Sequence, residues 1–425
     1  MQLAAKRICV IGGTEKGIRV AIALLAGGHR LTLVEEDAEL LFRLARRDIP
    51  FYNPDIGKEF SKAILRRNIS LNDSIKKTVK GSDYIFIALG SRAGISERAD
   101  IQKFKKGLEK IGSSLRRGTT VVILSRIPPG ATEGFVSEIL LKRSGLKPIQ
   151  EFNLAVCRIS QNRIVVGASR KRVGEEVASL FEGSGLKSVV TRLRAAEALE
   201  YLEGCVKATD VSRANELANL CEKLGIDARE LFPLIGLEAA DVGLGYGDPK
   251  LVSDVSSIIR LGDKLDERME ILRAVEKVNR RQVRRAVSLL KEELGSLKGK
   301  RIALLGLATR SGTISVEGSR AFDIAVGLLA EGARVIGYDR LAMSEFIELL
   351  PEISLASSVR EALRDADGCI IQTDDIEFSR LTEQDFDLMR NKTVIDGRGI
   401  LSAAKMERFG VRYRAIGLGS EKRGA

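Results

Sequence analysis

Lys6-Arg7-Ile8-Cys9-Val10-Ile11-Gly12 near one end of the chain and Lys300-Arg301-Ile302-Ala303-Leu304-Leu305-Gly306 towards the other follow one pattern. Each opens with two basic residues, continues as an unbroken apolar run and stops at a glycine. A continuous run without polar alternation predicts a strand buried on both faces, as in a parallel sheet. A helical pattern follows each copy, Ile18 to Leu25 in the first and Ala321 to Leu329 in the second. A second strand comes next, Leu31 to Val34 ending at Glu35, and Arg334 to Tyr338 ending at Asp339. Strand, glycine turn, helix and strand, joined by a right-handed crossover, open a doubly wound sheet.

Further buried strands follow each copy: Tyr84 to Ala88 and Thr120 to Leu124 after the first, Gly368 to Ile371 and Thr393 to Ile395 after the second. The middle differs. Arg194 to Leu224 has helical periodicity interrupted only by Gly204, and helical segments continue through Val255–Leu261 and Ile271–Leu294. No strand signal lies between Ala195 and Leu297. The expected fold class is α/β, two Rossmann-like doubly wound parallel-sheet domains joined by a central all-helical domain. The expected boundaries are 1–190, 191–297 and 298–425, with Ser296-Leu297-Lys298-Gly299-Lys300 leading into the last.

Composition narrows the function. At 425 residues, with 44% hydrophobic and 30% charged, the chain has an ordinary globular make-up and length for two or three domains. No apolar run approaches the ~18 residues needed to span a bilayer, and Met1 to Lys6 carries no separate apolar region or small-residue cleavage site, so no signal peptide is expected. Five scattered cysteines without a CxxC pair argue against a disulfide framework or zinc site and for a reducing cytoplasm. One histidine, His29, leaves no material for a His-based triad or metal site. The net charge of +12 is spread beside acids, and aromatics are only 5%, so a solvated basic surface suited to anionic small molecules fits better than nucleic-acid binding.

Several stretches together resemble the family of UDP-glucose, UDP-N-acetylmannosamine and GDP-mannose dehydrogenases. Ser125-Arg126-Ile127-Pro128-Pro129-Gly130-Ala131-Thr132 resembles its STVPPGTT turn, and Asn215-Glu216-Leu217-Ala218-Asn219-Leu220-Cys221-Glu222 its NEIANLCE. Leu272 to Asn279 with Gln282 resembles LxxAxxxVNxxQ, Leu297 to Ala308 resembles LKGKxIxxLGLA, and Asp396-Gly397-Arg398 resembles a late DGR. Order and spacing carry the resemblance from end to end. It implies NAD as cofactor, a nucleotide-sugar as ligand and a homodimer through the central helices. Family members oxidise a sugar alcohol to a carboxylate in two hydride transfers, through a cysteine thiohemiacetal and a thioester. That route needs a thiol, an oxyanion-stabilising group and a proton-handling carboxylate.

The resemblance fails where that chemistry resides. Against the family's GYGGSCFPKD stands Gly245-Tyr246-Gly247-Asp248-Pro249-Lys250-Leu251-Val252-Ser253-Asp254, so Lys250 occupies the nucleophile's position and only Asp254 survives. Both are the expected catalytic candidates, Lys250 as an amine or base. Glu200 and Gly204 stand where the family has a lysine and an asparagine, reversing one charge and removing one side chain, the latter at about 1 kcal/mol of helix propensity. The NPEFLREG-type loop after Leu154-Ala155-Val156-Cys157 and the FLxPG segment before Gly245 are shortened or missing. Thr309 to Ser319 replaces FKPxTDDxRxS, keeping a cation at Arg310 but placing Glu317 where an arginine is expected. The substrate-binding candidates are Gly245, Tyr246, Gly247, Arg310 and Arg398.

The expected cofactor set is Gly12, Thr14, Gly17, Glu35, Gly90 and Ser125. Thr14 takes the place of the second glycine of GxGxxG, which lets backbone N–H groups approach a pyrophosphate, and Glu15 adds negative charge. Glu35 suits ribose hydroxyls and NAD over NADP. Cys157 and Cys205 could be relocated thiols, although buried cysteine commonly serves as a small core residue. The reading is a dehydrogenase homologue that has lost the two-step oxidation. Two alternatives stand beside it: a dehydrogenase with a single hydride transfer to a ketone or aldehyde, and a non-catalytic subunit that pairs with an active paralogue.

Overall fold

The computed structural model describes residues 6–49, 54–90, 97–160 and 163–419. The chain divides into two compact units, Met1–Glu200 and Tyr201–Ala425. The first holds an eight-stranded sheet made of β1 (Ile8–Ile11), β2 (Leu31–Val34), β3 (Ile69–Asn72), β4 (Tyr84–Ile87), β5 (Thr120–Ile123), β6 (Asn153–Ser160), β7 (Arg163–Ala168) and β8 (Lys187–Thr191). Its order is β3-β2-β1-β4-β5-β6-β7-β8, parallel except for the β6–β7 pair. The second unit holds β9 (Arg301–Leu305), β10 (Arg334–Tyr338), β11 (Ser354–Leu355), β12 (Gly368–Ile371), β13 (Thr393–Asp396) and β14 (Arg412–Ala415). This all-parallel sheet runs β11-β10-β9-β12-β13-β14. Strand order reverses between β1 and β4 in one sheet and between β9 and β12 in the other, the crevice where such folds take ligands.

Every strand read from an apolar run is present. All four residues of β1, β4, β5, β12 and β13 are buried, which is why their sequences do not alternate. The short route from Cys157 to Asn162 proves to be an antiparallel hairpin with Ser160 opposite Arg163; residues 161 and 162 lie outside the described residues. Short or partly exposed strands, β3, β8, β11 and β14, carry no comparable apolar signal.

The two copies of the opening motif fold alike. Helix α1 (Glu15–Ala26) follows β1, and the Gly12 N–H donates to the Val34 carbonyl at 2.8 Å. The Gly306 N–H donates to the Tyr338 carbonyl at the same distance. In each copy the acid ending the second strand holds the glycine turn. Glu35 accepts from the N–H of Gly13 at 2.8 Å and of Asp37 at 2.9 Å. Asp339 accepts from Leu307, Ala308, Leu341 and Ala342. Both carboxylates are buried. Gly12 has φ of 107°, and a Cβ there would lie 2.4 Å from the Ala88 carbonyl oxygen, so only glycine fits.

Among the described residues no strand lies between β8 and β9. Helix α2 (Leu193–Leu224) is followed by α3 (Pro249–Lys264) and α4 (Glu270–Leu294). The 32 residues of α2 make a rod about 48 Å long. Helix α5 (Arg320–Ala330) then follows β9. No described helix is long and apolar enough to cross a membrane.

Candidate functional site

In the first unit the expected cofactor residues gather at the carboxyl ends of β1, β2, β4 and β5. Gly17 touches the turn so closely that a Cβ there would lie 2.2 Å from the Gly12 carbonyl oxygen. Thr14 caps α1: its hydroxyl accepts from the Gly17 N–H at 3.2 Å and donates to the Ala88 carbonyl at 3.1 Å. The side chain that replaces the second glycine is therefore folded into the turn. Ser125 donates to the carbonyls of Ile87 and Leu89 and ties β5 to the end of β4. Gly90, with φ of 91°, ends the described part of the loop after β4. A cavity of about 260 Å³ opens beside Glu35, between Val34, Ile75 and Leu89.

Sequence reasoning did not single out two cations of this unit. Arg158, on β6 beyond the end of its pairing with β5, is 1% exposed. Its Nη1 donates to the carbonyls of Ile123 (2.9 Å), Leu124 (3.2 Å) and Cys157 (3.0 Å), and its Nη2 to Ser125 (3.2 Å). The Glu200 carboxylate lies 3.8 Å from its Nε and 2.7 Å from the Lys16 Nζ. Glu200 is thus a buried anion between two cations. Such pairing is what a buried carboxylate needs to stay ionised. An arginine interrupting the apolar run of β6 was the one available sequence signal. Glu197, one turn earlier on α2, accepts from the N–H of Gly130 at 2.5 Å and Thr132 at 2.7 Å. That contact gives the Pro-Pro-Gly turn and the start of α2 a common structural reason.

In the second unit the Gly245-Tyr246-Gly247 loop is held by buried amides. Asn215 on α2 accepts from the Gly243 N–H at 2.8 Å, and Gln282 on α4 donates to the Gly243 carbonyl at 2.8 Å. Asn279 accepts from the Tyr246 N–H at 2.8 Å and donates to the Tyr246 carbonyl at 2.9 Å. A Cβ on Gly245 would lie 2.3 Å from the Asn279 side-chain oxygen. Arg320, at the start of α5, donates to the Tyr246 carbonyl and to Asn279. Burial lowers the pKa of its guanidinium and nearby Asp323 opposes the shift. The loop's geometry is fixed by groups that touch its backbone.

Beyond the loop, Asp248 caps α3, Pro249 takes the first position and Lys250 the second. The Lys250 side chain is exposed. Asp254, one turn on, is fully buried. It faces Gly204: a Cβ on that glycine would lie 2.0 Å from the Asp254 Oδ2. The missing side chain on α2 is the space this carboxylate fills. Arg398 follows β13; its Nε donates to the Gln372 carbonyl at 2.8 Å, and burial lowers its pKa against the opposing pull of Asp374 and Asp396. Asp396 accepts from the N–H groups of Arg398, Gly399 and Leu401, so this acid shapes the turn that presents the arginine. Arg310 is exposed. Cys157 and Cys205 are buried, and burial pushes the Cys157 thiol up to about 12. Among the described residues no cluster of His, Cys, Asp and Glu could hold a metal ion.

Residues 6–184 match the NAD binding domain of the UDP-glucose/GDP-mannose dehydrogenase family, 194–281 its central domain and 303–403 its UDP binding domain. A UDP-glucose 6-dehydrogenase of Haloferax volcanii, AglM, is 29% identical over 96% of this chain and 99% of its own. YwqF of Bacillus subtilis, also a UDP-glucose 6-dehydrogenase, is 26% identical over 96% of this chain and 97% of its own. The solved UDP-glucose dehydrogenase of Pyrobaculum islandicum superposes with a TM-score of 0.83 at 26% identity, covering 98% of both chains.

Two substitutions test this geometry. Gly204→Ala gains about 1 kcal/mol of helix propensity but forces a methyl into Asp254, an overpacking cost of about 1–3 kcal/mol. We expect net destabilisation in chemical denaturation; a stabilised variant would show that the two side chains do not compete. Glu200→Gln strips the buried Arg158 of its counter-charge, and we expect a loss of about 3 kcal/mol. An unchanged denaturation midpoint would show that the ion pairs carry no weight.

Proposed function

The chain belongs to the UDP-glucose/GDP-mannose dehydrogenase family, and from that premise we propose a homologue that binds nucleotide ligands but has lost the two-step sugar oxidation. The observation that carries this reading is Lys250. It stands where the family chemistry calls for a thiol, exposed on the first turn of α3 beside the Asp248 cap. An amine cannot form the thioester from which water releases the acid. The buried thiols do not replace it: Cys157 is held protonated by burial, and Cys205 packs among Tyr201, Ala208 and Tyr246. Glu200 and the Gly204–Asp254 contact remove two further groups of the family pattern. Thr14, folded into the turn after β1, supports a weakened hold on NAD. The substrate candidates Tyr246, Arg310 and Arg398 fit a UDP-sugar or another anionic small molecule.

The same reading divides the protein into domains at 1–190, 191–297 and 298–425 and places it in the cytoplasm, where its five free thiols would stay reduced. It also makes the protein a homodimer. Leu202, Val206, Leu217, Leu220 and Leu224 share one side of α2 and are 37–63% exposed. At 1.5 Å per residue this apolar stripe runs about 33 Å, and a second copy of the same helix, related by a twofold axis, would cover it.

Purified protein with NAD and UDP-glucose, UDP-N-acetylmannosamine or GDP-mannose should give no sustained NADH signal at 340 nm. Steady formation of two NADH per sugar would overturn the proposal. In sedimentation, the protein should run at about twice 46.4 kDa and Val206→Glu/Leu220→Glu at the monomer mass. A monomeric parent, or a dimer indifferent to both charges, would remove the helix-to-helix interface.

A further inference from the structure

We propose that the first unit takes a nucleoside diphosphate, the adenine half of a dinucleotide, and has no place for the nicotinamide half. A dinucleotide lies across the strand-order reversal of a doubly wound sheet, one nucleoside on each side of the glycine turn. Here the two sides differ. On the β2 side the crevice is open, as a cavity of about 260 Å³ lined by apolar Ile11, Val34, Ile75 and Leu89, by the acids Glu35 to Asp37 and by Lys103. Apolar walls suit a flat base, and the carboxylates accept from ribose hydroxyls. The volume is below the ~300 Å³ at which pockets for larger ligands begin, so it suits one nucleoside.

On the β5 side the protein fills the crevice itself. The Arg158 guanidinium lies over the carboxyl end of β5 and donates to the carbonyls of Ile123, Leu124 and Ser125. Glu200 covers it, and Lys16 in the first turn of α1 closes on Glu200 at 2.7 Å. These three side chains join α1, the end of β5 and α2 across the ground where the second nucleoside would lie. Displacing Arg158 would strip several carbonyls of their donor and part Glu200 from a buried cation, a cost that the pyridinium ring of oxidised nicotinamide, with a single carboxamide group to donate, does not offset.

The inference rests on the dinucleotide-type crevice of this unit and not on the fate of sugar oxidation. The test is calorimetric titration of the full-length protein with ADP, ADP-ribose, NAD and nicotinamide mononucleotide, with hydrogen exchange to locate the bound ligand. ADP, ADP-ribose and NAD should bind within about threefold of one another and the mononucleotide not at all. Protection should be confined to peptides carrying Gly12–Gly17 and Glu35–Asp37. NAD binding more than about tenfold tighter than ADP would overturn the proposal, as would failure of ADP to bind or protection elsewhere. Tight, nicotinamide-dependent binding without NADH formation would sink this inference alone; sustained NADH formation would sink the loss of oxidation as well.

Discussion

In each unit a buried carboxylate at the end of the second strand grips the backbone of the glycine turn beside it, and the rest of the sheet is organised around that grip. A turn leaving a buried parallel strand exposes N–H groups that neither sheet nor helix can use, and such groups are costly inside a protein. Glu35 takes one in the glycine turn and one after its own strand, and Asp339 takes two in each place. Once the turn is fixed, the chain enters its helix at a set angle, the crossover returns on the right-handed side, and the crevice at the strand-order reversal acquires its floor. Glu35 is therefore a structural residue in its own right. The parallel with Asp339 makes this clear, because the same device recurs in a second sheet.

The motifs that mark the family are accounted for in the same way. Asn215, Gln282 and Asn279 are buried amides, and their hydrogen bonds end on the backbone between Gly243 and Tyr246. Asp396 holds the turn after β13, and Glu197 the turn after Pro129. Each is a polar group with several satisfied partners, and substitution would leave orphaned backbone groups on both sides. The family pattern persists here chiefly where side chains shape loops.

How much of this is legible in a sequence follows from sequence distance. The strands and the long helices are local patterns, since an unbroken apolar run or a 3.6-residue period needs no partner to be recognised. The start of α3 is less so: its opening stretch, Pro249 to Asp254, mixes polar and apolar residues, and only the Asp-Pro cap marks where it begins. The contacts that define the site join distant parts of the chain. Nothing near Gly204 announces that Asp254 fills its space, and nothing near Lys16 announces Glu200. Arg158 could have been noticed as a charge in a buried strand, but its acceptors are carbonyls, and a carbonyl has no sequence signature.

Charge and volume decide what a buried acid and a bare helix position cost. A buried acid without a partner would cost several kcal/mol, and a vacated helix position would leave a cavity. Neither is found at Glu200 or Gly204. Glu200 has Arg158 at 3.8 Å and Lys16 at 2.7 Å, and the Asp254 carboxylate occupies the space beside Gly204. Glu200 is thus met by neighbours of opposite charge, and Gly204 by one that fills its space. A carboxylate held between two cations and a glycine packed against a carboxylate each need both members of the contact, so a change at one position has to be met by its neighbour if the chain is to stay folded and keep a defined crevice.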